Sequence, residues 1–115
     1  MSFKFHYDSE YDVLAIRNVE KKVEESVEIS GDIILDIDSE EKVVGVEIFD
    51  ASEIFFSFNK EIDKNFLENL DNASLEYKEF RNMWFIMVIL NSNQKQIKQP
   101  LPPLRKSEYI SPLVG

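Results

Sequence analysis

The sequence predicts an α+β fold: an antiparallel β-meander of about five strands, a helical segment packed on it, then a C-terminal β-hairpin and a proline-containing tail. Three observations predict it. Apolar and polar residues alternate with period two through most of residues 1–49, as in half-buried strands. Residues 50–53 then match a helix capping box ahead of an apolar stripe. Last, the apolar run Met83 to Leu90 lies between two turn signals.

Phe3, Phe5 and Tyr7 alternate with Lys4 and His6 in the first expected strand. Asp8 to Tyr11 is a polar turn, and Asp12 to Asn18 is a second strand with Leu14 and Ile16 on one face. Val19 to Glu25 is a charged loop, Ser26 to Ser30 a third strand, and Gly31-Asp32 a turn. Ile33 to Asp38 and Val43 to Phe49 are strands joined by the hairpin Ser39 to Lys42, and Gly45 marks a bulge or a close backbone approach. Asp50 is the expected N-cap, with Glu53 three residues on; a helical segment runs to Leu70, interrupted at Ser57-Phe58-Asn59. Its stripe is Ile62, Phe66, Leu67 and Leu70. Residues 74–80 and 83–90 are strands across the turn Arg81-Asn82, and Lys95 to Gln99 pairs weakly. Pro100 to Leu104 is expected to be extended, and residues 105–115 to be mobile or to lie on a partner.

Length and composition fit one compact unit, with a β-meander part at 1–56 and the helix, hairpin and tail at 57–115. Val, Ile, Leu and Phe fill 39 of 115 positions, enough for a core without staples. The absence of Cys excludes disulfides, iron–sulfur clusters and thiol nucleophiles, and the single His6 excludes a histidine metal cluster within one chain. Three Gly cannot build a Walker loop or a dinucleotide fingerprint. The net charge of −9 falls wholly within residues 1–60, which hold 15 acids and 6 bases; residues 61–115 balance at 7 and 7. Residues 80–107 carry five cations and no acid, so the two halves can attract each other within or between chains. A chain this acidic is not expected to bind nucleic acid. The longest apolar run has eight residues where a membrane span needs about 20, so a cytoplasmic protein without membrane contact is expected.

Two blocks carry a family resemblance. Tyr7-Asp8-Ser9-Glu10-Tyr11-Asp12-Val13-Leu14-Ala15-Ile16 resembles the opening hairpin of the Domain of Unknown Function 2283 family, which reads Tyr-Asp-x-Glu-x-Asp-x-Leu-x-Ile. Ser30 to Asp38 with Val43 to Ser52 resembles its second block: a Gly-containing turn, an apolar strand, an acidic hairpin, a Val-Gly-Ile/Val-Glu-Ile strand and an Asp-Ala-Ser helix start. The resemblance covers residues 1–56; residues 57–115 look like the extension of some archaeal members. It implies a small prokaryotic α+β domain and no known catalytic residues. Some members resemble partners of small toxin-like proteins, which implies an antitoxin-like role.

Two groups of carboxylates are candidate sites. Asp8, Glu10 and Asp12 alternate, and turn chemistry explains them without a ligand. Asp36, Asp38 and Glu40 resemble the start of a calcium loop, but its sixth position needs a sharply turning Gly and holds Glu41; Glu47 stands twelfth. His6 and Asp8 share a strand face, and His6 is expected at the surface. No catalytic residue, metal or cofactor is assigned. The candidate interface is Met83, Trp84, Phe85, Ile86, Met87, Val88, Ile89 and Leu90, apolar on both strand faces and therefore covered twice. The expected function is a non-enzymatic protein-interaction module that pairs as a homodimer or with a protein partner. The alternative is a small carboxylate-based enzyme or ligand-binding protein. Leu101 and Leu104, folding back, are the rival cover for the strand.

Overall fold

The computed structural model describes residues 2–110. Strands β1 (Phe3–Asp8), β2 (Val13–Asn18), β3 (Glu25–Ser30), β4 (Ile33–Ile37) and β5 (Val43–Phe49) form one antiparallel sheet. Their order is β1-β2-β5-β4-β3, so the chain departs from a simple meander. Composition explains the exchange. In β5, Val43, Val44, Gly45, Val46 and Ile48 are all buried, and a strand apolar on both faces belongs at the centre. In β3, Glu25 and Glu28 are exposed, and a strand bearing acids belongs at an edge, where the charges stay hydrated and discourage further pairing. The loop at residues 19–24 therefore carries the chain across the sheet.

Gly45 is a close approach and lies beside a register shift. A methyl group on it would stand 2.8 Å from Asp36 Oδ2, 3.1 Å from the Ile16 carbonyl and 3.2 Å from Arg17 Cγ. Asp36 pairs with Gly45 and Ile37 with Val43, which leaves Val44 as the extra residue of a bulge.

The helical segment expected up to Leu70, with an interruption at Ser57-Phe58-Asn59, is two short helices, α1 (Ala51–Phe58) and α2 (Lys64–Glu68), so the break is wider and the second helix shorter than expected. Asp50 does not cap α1. Its backbone is left-handed, with φ at 52°, and its side chain makes no cap hydrogen bond. Asp63 caps α2 by accepting the Phe66 N–H at 2.8 Å. The apolar stripe is revised as well. Ile62 is fully buried but lies in the link between the helices, Leu67 is buried within α2, and Phe66 and Leu70 are half-buried.

Strands β6 (Asn72–Phe80), β7 (Met83–Ser92), β8 (Lys95–Pro100) and the short β9 (Leu104–Arg105) form a second antiparallel sheet. Both its hairpins turn on two residues of positive φ, Arg81-Asn82 and Asn93-Gln94, a backbone twist that suits a tight hairpin. β6 packs against β1 and β2. The inner faces of both sheets and the buried sides of α1 and α2 share one core, which includes Leu14, Ile16, Leu35, Ile48, Phe55, Leu67, Trp84 and Leu90. The two parts of the chain thus close over the same apolar interior.

Residues 105–110 are docked on the chain itself, where mobility or contact with a partner was expected. Leu101 is buried and donates its N–H to the Ile86 carbonyl at 2.8 Å. Lys106–Glu108 makes a 3-10 turn, Tyr109 stacks on Trp84 at 6.5 Å between ring centres, and Ile110 is buried. The expectation for residues 111–115 lies outside the described residues.

Candidate interaction surface

Strand β7 is central in its sheet, with β6 on one side and β8 and β9 on the other, so its backbone offers no free edge. Its even positions face inward. Trp84, Ile86, Val88 and Leu90 are buried in the chain's own core, and Ile89 is buried too. These five need no partner to explain them, and the candidate interface contracts to Met83, Phe85 and Met87. The folded-back Leu101 belongs to the same core, and Leu104 packs against it half-buried.

The outer face is built by register. Phe80 lies opposite Met83, Lys78 opposite Phe85 and Glu76 opposite Met87 on one side; Arg105 lies opposite Met83, Pro100 opposite Met87 and Lys98 opposite Ile89 on the other. Phe80 is 58% exposed and Phe85 42%, while Met83 and Met87, half-buried, flank Phe85 along β7. Arg81 stacks over the Phe80 ring, 5.1 Å from its centre. Phe85 and Met87 also line a cleft of about 940 Å³, together with Phe58, Pro100, Pro102 and Phe3. A sheet face with two exposed Phe rings, rimmed by Lys and Arg, has the composition of a contact surface.

The candidate carboxylates serve as structural groups. Asp8 Oδ1 accepts the N–H groups of Glu10 and Tyr11 at 3.0 and 3.1 Å. Asp38 Oδ1 accepts those of Glu40 and Lys42, both at 2.9 Å. Asp36 accepts the Ser26 hydroxyl at 2.8 Å. Among the described residues, no group of three His, Cys, Asp or Glu side chains could hold a metal ion. His6 is exposed on the outer face of the first sheet and, with Asp8, Tyr11 and Glu47, lines a smaller depression of about 510 Å³ there.

Asp12, expected as a turn carboxylate at the start of the second strand, reaches across to a helix instead. Its backbone is left-handed, with φ at 57°, which turns the carboxylate onto the start of α1. Oδ1 accepts the Tyr7 hydroxyl at 2.5 Å and the Ser52 N–H at 3.0 Å; Oδ2 accepts the Ser52 hydroxyl at 2.7 Å. The Asp12 carbonyl accepts the Ala51 N–H at 2.9 Å. A residue 40 positions away thus caps the helix. Burial alone would raise the Asp12 carboxyl, but the hydrogen bonds from Tyr7 and Ser52, with the charge of Lys64, outweigh it and hold the group below the usual carboxylate range. Burial, then the hydrogen bond to Asp12 and its charge, push the Tyr7 phenol well above its ordinary value. The spacing of Tyr7, Asp12 and Ser52 in the two family-like blocks carried this clasp.

Residues 4–52 match the family model described as protein of unknown function (DUF2283).

The match covers the first sheet and stops at Ser52, the residue Asp12 holds, so the Asp12 clasp lies inside the DUF2283 segment. The outer face of the second sheet lies outside it. Neither a curated protein nor a solved structure matches the chain. No helix among the described residues is long and apolar enough to cross a membrane.

Lys106 ties the C-terminal part to the DUF2283 segment. Its ammonium lies 3.3 Å from Glu79 of β6 and 3.3 Å from Glu41 of the β4–β5 hairpin. Burial lowers the Lys106 pKa, but the two carboxylates prevail and hold it above its ordinary value. At Glu79, burial is outweighed by hydrogen bonds from Tyr77 and Lys106, and its pKa is lowered. Lys95 pairs with Glu61, so part of the complementarity between acidic and basic stretches is used inside the chain.

Proposed function

We propose that the chain is a non-enzymatic, cytoplasmic protein-interaction module that engages another protein through the outer face of its second sheet. The observation that carries this reading is the exposure of Phe80 and Phe85 side by side with Met83 and Met87 on one face. Fully burying a Phe side chain is worth about 1.5–3 kcal/mol, so two solvent-facing rings leave a substantial driving force for association. The enzyme alternative draws no comparable support, because Asp8, Asp12, Asp36 and Asp38 are occupied by backbone and hydroxyl donors.

Site-specific photo-crosslinking tests the reading. A photo-reactive side chain at position 85 should capture protein in a cell extract, whereas one at position 28, exposed on β3, should not. Equal capture at both positions would remove the basis for this surface.

A further inference from the structure

We infer that the outer face of the second sheet receives an acidic protein segment that carries apolar anchor residues. The inference rests on the interaction reading above and names the partner's chemistry.

Charge decides between occupants. The chain carries −9 overall, yet this face presents Lys78, Arg81, Lys98 and Arg105 against the single carboxylate Glu76. Glu76 lies 3.9 Å from Lys98 and offsets part of its charge, which leaves Lys78, Arg81 and Arg105 around the Phe rings. All three are exposed. A second copy applied face to face would set these cations against their own duplicates, and like charges opposed across an interface are unfavourable. A long polyanion would meet the acidic field of the rest of the chain, which carries −12 once the +3 of this face is set apart from the total of −9. A short acidic segment meets neither objection. Its carboxylates can pair with Lys78, Arg81 and Arg105, while its apolar side chains cover Phe80 and Phe85 and enter the cleft beside Met87. The acidic first sheet then repels it from elsewhere on the molecule, which orients the encounter.

The experiment is selection of random displayed peptides on the full chain, followed by fluorescence polarisation of the enriched sequences. Enriched peptides should combine Asp or Glu with Phe, Leu or Trp and bind more weakly as salt rises. Their affinity should fall by about tenfold or more with Phe85→Ser, the anchor at the centre of the face, and also with Lys78→Glu plus Arg105→Glu, which sets like charges against the peptide's carboxylates. Glu28→Lys on the opposite sheet should leave binding unchanged. All these positions are exposed, and circular dichroism verifies that each variant is folded. Neutral or basic peptides, absence of enrichment, tighter binding of a deoxythymidine oligomer to this face, or a wild-type dimer that buries Phe85 would each overturn the inference. Crosslinks from position 85 to a neutral or basic protein would end the acidic assignment while leaving the interaction module standing.

Discussion

Replacing Asp12 by Gly removes the carboxylate while retaining a residue that accepts φ of 57° without strain, so the change isolates the clasp from the backbone. Three donors lose their acceptor: the Tyr7 hydroxyl, the Ser52 hydroxyl and the Ser52 N–H. Loss of a helix cap costs about 0.5–2 kcal/mol. Each hydroxyl deprived of a charged acceptor adds roughly 1 kcal/mol, since the site is only partly buried and water can replace some of the bonding. The total is about 2–4 kcal/mol, or roughly 10–20 °C in the melting temperature of a domain this size. Asp12→Ala should lose a further ~1 kcal/mol, because an alanine disfavours the left-handed conformation. Asp50→Gly is the control: it too has positive φ but caps nothing, and it should be within about 0.5 kcal/mol of wild type or more stable. Urea denaturation of the three variants decides the matter. An Asp12→Gly variant that loses less than about 1 kcal/mol, or an Asp50→Gly variant that loses as much, would refute the remote cap. The pH dependence supplies a second readout. Because the folded-state pKa of Asp12 is depressed, its contribution is present above the ordinary carboxylate range and is lost as pH falls through the folded value. The stability difference between wild type and Asp12→Gly should therefore shrink on acidification.

Further outcomes follow from the same structure. Gly45→Ala should destabilise by about 1–3 kcal/mol in a thermal melt, since the added methyl meets the Ile16 carbonyl as well as the Asp36 side chain. Trp84→Ala should cost about 3–5 kcal/mol and Phe85→Ser less than about 1, because the first ring is fully buried and the second half in water; similar losses from both would contradict the assignment of the two β7 faces. Lys106→Gln should cost on the order of 1 kcal/mol, less in high salt because Glu41 and Glu79 are partly exposed, and should raise amide exchange at Tyr109 and Ile110 first. EDTA, with or without added calcium, should leave the melting temperature unchanged, since the acidic hairpins spend their carboxylates on turn N–H groups.

Much of the architecture was legible in residue order. Phe3, Phe5 and Tyr7 announced β1, and Arg81-Asn82 announced a two-residue turn whose positive φ values the structure shows. Val43 to Phe49 read as a strand with a bulge or close approach at Gly45, as the structure has it, whereas its place beside β2 depended on which strands could best be spared to the edge. The candidate surface was only half legible. Eight consecutive apolar residues said that β7 had two apolar faces, but not that its own helices and tail would cover one of them. The rim cations were counted along the chain, whereas their convergence on Phe85 arises from the register of three strands.

The sequence by itself determined the local choices: strand periodicity, tight turns, the Asp63 cap, and a core free of cysteine and rich in Val, Ile, Leu and Phe. These depend on neighbours within a few residues, where side-chain spacing and backbone preference act directly. Only the tertiary structure decided the pairings across distance. The capping box at Asp50 had the right spacing, yet the helix took its cap from Asp12, because a left-handed hairpin residue brought a charged acceptor to the same N–H groups. Likewise Trp84 and Phe85 are adjacent and both aromatic, and the pleat of one strand sent the first into the core and the second into solvent.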